Sequence, residues 1–96
     1  MRLRLTPRAK QDVIAIAEYV RAENPVAAER VRGAILESLQ LLTDFPEIGR
    51  RQNIEGVCKH VTRKYGYLVY YSIDTFAHEI AILTVQHPSR AQPFRD

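Results

Sequence analysis

The pattern of apolar and polar positions divides the chain into a helical first half and a strand-rich second half. Arg2-Leu3-Arg4-Leu5 alternates polar with apolar residues, which predicts a short strand with one buried face. Thr6-Pro7 then offers an N-cap followed by proline at the first helical position. Ala9, Val13, Ile16, Ala17 and Val20 recur at helical spacing, predicting a first helix from Pro7 to about Glu23. Asn24-Pro25 repeats the start signal, and a second helix to about Phe45 turns Ala28, Val31, Ile35, Leu39 and Leu42 inward. So short a connection makes the two helices an antiparallel hairpin.

Pro46 closes the second helix, and Glu47 to Asn53 reads as a polar loop. Three strands follow: Val57 to Arg63, Tyr67 to Ile73 and Glu79 to Gln86, joined by turns at Lys64-Tyr65-Gly66 and Asp74 to His78. The last strand is apolar on both faces, which places it inside the sheet. The expected fold is α+β: a strand, the helical hairpin, then a three-strand meander. The helices pack on one face of a small, mostly antiparallel sheet and leave the other face open.

At 96 residues the chain is expected to form a single domain, 1–96, too small for a deep substrate pocket. Net charge is +3, which permits an acidic protein partner or a nucleic acid. No apolar run is long enough for a secretory signal or a membrane span, so a cytoplasmic protein is expected. The single cysteine, Cys58, cannot form an internal disulfide and reads as a packed small hydrophobe. A thiol nucleophile would need His60, two residues along on the same strand face.

Candidate chemistry gathers in the strand half. Arg50, Arg51, Lys59, Arg63 and Lys64 are opposed only by Glu55 between positions 50 and 64. They suit either phosphate binding or a charged sheet edge that resists aggregation. Tyr65, Tyr67, Tyr70 and Tyr71 could stack on bases, but alternation assigns Tyr67, Val69, Tyr71 and Ile73 to one strand face. His87, at the end of the last strand, is followed three residues on by Arg90, pairing a proton-transfer group with an anion holder. His60, His78 and His87 lack ligand spacing, and the four glycines are scattered, so neither a metal nor a phosphate-cradling loop is expected.

An ordered set of residues carries a resemblance across nearly the whole chain. It comprises Ala9, Asp12, Ile16 and Tyr19; Asn24-Pro25 with Ala27-Ala28; Leu42, Pro46 and Gly49-Arg50; Tyr67-Leu68-Val69-Tyr70; Ile82-Leu83-Thr84-Val85; and His87, Arg90 and Pro93. In these the chain resembles the ParE/RelE superfamily of bacterial toxins from type II toxin–antitoxin systems. The resemblance implies a cytoplasmic toxin, without cofactor, metal or small-molecule substrate, neutralised by a cognate antitoxin that folds along its surface.

ParE-like members inhibit DNA gyrase by binding, whereas RelE-like members cut messenger RNA on the ribosome without metal. The cleaving branch commonly has arginine where this chain has Tyr67, and often another where it has His87-Pro88. The resemblance therefore favours the ParE-like branch, with Arg63, His87, Arg90, Phe94 and Arg95 as target-binding residues. If the chain were a ribonuclease instead, His87, Arg90, Arg63 and Lys64 would have to supply its base, acid and charge stabilisation. A non-toxic nucleic-acid-binding module is the third reading.

Overall fold

The computed structural model describes residues 1–90, with Arg90 described in its backbone only. The elements run β1 (Arg2–Leu5), α1 (Pro7–Glu23), α2 (Pro25–Asp44), β2 (Arg50–Arg51), β3 (Cys58–Val61), β4 (Leu68–Asp74) and β5 (Glu79–Gln86). Single 3-10 turns cover Pro46–Ile48 and Pro88–Arg90. The strands form one sheet in the order β1-β5-β4-β3-β2, antiparallel except for the β1–β5 pair.

Both helix starts follow from local chemistry. The Thr6 hydroxyl accepts from the Ala9 N–H at 3.1 Å, with Pro7 beginning the helix. Asn24 serves two helices at once. Its backbone N–H donates to the Val20 carbonyl at 2.7 Å, ending α1, while its side-chain oxygen accepts from Val26 and Ala27 to start α2. Its extended backbone (φ −158°, ψ 103°) is the conformation that a following proline favours. The chain thus reverses on one residue.

The two helices cover one face of the sheet. Ala9, Val13, Val31, Ile35, Leu39 and Leu42 pack against Tyr67, Val69, Tyr71, Ile80, Ile82 and Val85 in a single core cluster. Register explains the set, because Val69 pairs with Val85, Tyr71 with Ile82 and Ile73 with Ile80. Each fully buried aliphatic side chain contributes roughly 1.5–3 kcal/mol. Alternation sends Leu68, Tyr70 and Ser72 to the far face, where Tyr70 is itself buried.

Three expectations need correction. The polar loop at 47–53 contains a 3-10 turn and a two-residue edge strand, Arg50–Arg51, so the sheet has five strands. Two consecutive arginines carry no alternation, which is why the pattern hid them; on an edge they also repel intruding strands. The strand expected from Val57 to Arg63 is shorter, because Val57 N–H and Thr62 N–H both bond into turns. Finally, β1 is less buried than its alternation implies, with Leu3 exposed at the sheet edge.

A bulge sits in β5. Tyr70 pairs with Thr84 and Tyr71 with Ile82, which leaves Leu83 without an opposite residue. At this point β1 has ended, and the N-cap residue Thr6 and the Asp12 side chain of α1 take over the open edge of β5. Thr6 N–H donates to the Ile82 carbonyl, and the Thr6 hydroxyl donates to the Leu83 carbonyl at 3.0 Å. The Asp12 carboxylate accepts from both the Thr84 hydroxyl and the Val85 N–H. Buried backbone groups past the bulge therefore keep their partners.

Candidate target-binding site

Bonding across the bulge fixes α1 against the end of β5 and opens a groove of about 440 Å³ between them. One wall is Arg8, Asp12, Ala15, Ile16 and Tyr19 of α1; the other is Tyr67 with Thr84 to His87 and Ser89. The Tyr67 and His87 rings meet edge to face, with centroids 5.5 Å apart at 82°. Burial pushes the Tyr67 phenol up, so it remains a protonated donor.

The His87 tautomer follows from geometry. Its Nδ1 accepts from the Ser89 N–H at 3.0 Å and lies 2.6 Å from the Ser89 hydroxyl. A nitrogen that accepts from an amide carries no proton, so Nε2 is the protonated nitrogen of the neutral ring. The imidazole thus caps the Pro88–Arg90 turn on one side and offers a donor on the other.

The β3–β4 turn stands at the same end of the sheet, since Leu68 at its foot pairs with Gln86. Buried Thr62 organises it. The Thr62 hydroxyl donates to the Lys64 carbonyl at 2.6 Å and accepts from the Tyr67 N–H at 2.9 Å, and Thr62 N–H donates to the Tyr67 carbonyl at 2.8 Å. Arg63, Lys64 and Tyr65 project into solvent from this frame.

The expected basic cluster therefore divides. Arg63 and Lys64 share the sheet end with His87, whereas Arg50 and Lys59 are cross-strand neighbours on β2 and β3. Arg51 pairs with Cys58 and lines a second cavity of about 390 Å³ with Glu47 and Glu55. There burial pushes the Cys58 thiol up, and Arg51 only partly opposes it, so thiolate chemistry is disfavoured. Burial also lowers the pKa of His60. The Arg90 side chain, Phe94 and Arg95 lie outside the described residues.

Asp12, Thr84 and Thr62 shape the site: the first two enter the sequence reading only within the resemblance, without a role, and Thr62 not at all. A signal existed for Asp12, a carboxylate within the apolar stripe of Ala9, Val13 and Ile16, where an acid needs a buried donor. Among the described residues no group of three or more His, Cys, Asp or Glu could hold a metal ion, and no helix is long and apolar enough to cross a membrane.

Comparison with known proteins agrees with this architecture. The candidate toxin Y4kP of Sinorhizobium fredii (strain NBRC 101917 / NGR234) is 30% identical over 92 residues, spanning 96% of this chain and 93% of its own length. The fold matches a chromosomal ParDE toxin–antitoxin structure from P. aeruginosa with a TM-score of 0.79 at 22% identity, covering 91% of this chain and 95% of that one. It matches the RelBE2 toxin–antitoxin complex of Mycobacterium tuberculosis with a TM-score of 0.65 at 24% identity, over 90% and 95% of the two chains. The family model for the ParE toxin of type II toxin–antitoxin systems matches residues 3–92, and the chain belongs to that family.

Proposed function

We propose that this toxin acts by binding DNA gyrase, without cleaving a bond, and that a cognate antitoxin holds it inactive. One observation carries the choice between binding and cleavage. Tyr67 occupies the position where a cleaving relative would place a cation, and it is only 4% exposed, packed edge-on against His87. A buried neutral phenol adds no positive charge at phosphorus, where ribonucleolysis needs it most. His87, Arg63 and Lys64 at the sheet end instead supply donors and cations suited to a protein surface, with Arg90, Phe94 and Arg95 continuing it in sequence.

The antitoxin reading draws on structural relatives that belong to toxin–antitoxin pairs and on exposed apolar side chains along the helical hairpin. Ile14, Leu36 and Leu41 are 48%, 39% and 40% exposed, a surface that a segment folding on binding would cover. The purified chain is expected to inhibit gyrase supercoiling of relaxed plasmid, while ribosome-bound message stays intact. Arg63→Glu and His87→Ala should each weaken that inhibition, and truncation after Ser89 should abolish it. Message cut in a codon-dependent way, with supercoiling untouched, would reverse the assignment in favour of ribonuclease.

A further inference from the structure

Tyr65 occupies a place that its own backbone does not favour. Its φ is 68° and that of Gly66 is 65°, two consecutive left-handed residues at the end of a four-residue loop that Thr62 and Tyr67 close. Left-handed positions favour Gly, Asn or Asp, and a bulky residue at one is an outlier. The contrast with His78 (φ 51°) is informative, since histidine is among the residue types that tolerate this region. Packing does not explain the tyrosine either. Its side chain is 50% exposed and belongs neither to the core cluster nor to the hydrophobics packed on it.

The surroundings are those of a contact surface. Thr62 ties the turn to itself through buried hydrogen bonds, so little ordering remains to be done when a partner arrives. Arg63 and Lys64 immediately precede Tyr65 and are exposed with it, and neither forms an ion pair among the described residues. We propose that the Arg63-Lys64-Tyr65 turn is a preformed contact for an acidic patch on the protein target, with Tyr65 as its aromatic anchor. Strained backbone retained at an exposed position points to function more than to folding. A protein fits better than a single-stranded nucleic acid, because the neighbouring ring, Tyr67, is buried and cannot extend a stacking platform.

This inference rests on the gyrase-binding reading for its target, and the test keeps the two apart. Tyr65→Asn installs Asn-Gly in the turn; its thermal midpoint should equal or exceed that of the wild type. Its half-inhibitory concentration against gyrase supercoiling should rise about tenfold, as when one interface anchor is lost. Growth arrest on induction, at matched protein level, should weaken in parallel, whereas Tyr65→Phe should retain both effects. A midpoint lowered by several degrees, or undiminished arrest by folded Tyr65→Asn, would overturn the proposal. Loss of single-stranded RNA binding with gyrase inhibition unchanged would do the same. A wild-type chain that arrests growth and leaves gyrase untouched removes the gyrase reading alone, and the arrest assay then decides the turn. No arrest by the wild type removes both.

Discussion

Gly49 is present for space and not for conformation, and that makes a sharp test of how the edge of the sheet is held. Its backbone (φ −76°, ψ 157°) is open to any residue. Its N–H, however, donates to the Tyr71 hydroxyl at 2.8 Å, and that hydroxyl donates to the Pro46 carbonyl at 2.8 Å. A Cβ on residue 49 would press into the Tyr71 hydroxyl and lie 2.6 Å from Cε1 and 2.7 Å from Cζ. The ring cannot retreat, because Tyr71 is fully buried beneath the helices.

Gly49→Ala should therefore lose two hydrogen bonds, about 0.5–1.5 kcal/mol each, and add an overpacking cost of about 1–3 kcal/mol. A total of about 3 kcal/mol lowers the melting temperature of a domain this size by roughly 15 °C. Tyr71→Phe loses only the hydrogen bonds, at about 1–2 kcal/mol. The double variant should cost little more than Gly49→Ala alone: the same bonds are already broken, and the hydroxyl contact is gone. Urea denaturation of the four proteins closes the cycle. Additivity within about 0.5 kcal/mol, or a neutral Gly49→Ala, would refute the argument.

Three further outcomes follow from the structure. Asp12→Ala strands the Thr84 hydroxyl and the Val85 N–H, both almost inaccessible to water, and should cost about 2–4 kcal/mol in urea denaturation; a loss under 1 kcal/mol on that scale would mean the bulge closes without it. Thr62→Val should cost about 1–3 kcal/mol and shift the amide NMR resonances of Arg63 to Tyr67, whereas unmoved resonances would show that the turn holds itself. Burial lowers the pKa of His60 from the ordinary 6.5, so the unfolded chain takes up this proton before the folded one does. The contribution of His60 is present above about pH 6.5 and is lost as pH falls through the folded value; His60→Gln should flatten that part of the stability–pH curve, and an unchanged slope would contradict the assignment.

Much of the fold was legible because single residues announced it. Thr6-Pro7 and Asn24-Pro25 marked both helix starts, and the alternation of Tyr67, Val69, Tyr71 and Ile73 marked the core face of β4. What stayed hidden depends on contacts distant in sequence. The Leu83 bulge interrupts no hydrophobic pattern, and the role of Asp12 arises only when α1 lies beside a strand more than 70 positions away. The candidate site was legible in part. Spacing singled out His87, Arg63 and Lys64, but only the pairing of Leu68 with Gln86 brings their segments to one end of the sheet. The strain at Tyr65 is a backbone property, and residue type alone does not report it.

Amide hydrogen exchange of the toxin, free and mixed with gyrase, tests the central claim most directly. Binding through the sheet end predicts new protection at Arg63 to Tyr67 and at Gln86 to Ser89, with the outer face of α2 exchanging as before. Protection confined to α2 or to the Arg50–Arg51 edge, with the β3–β4 turn unchanged, would contradict it.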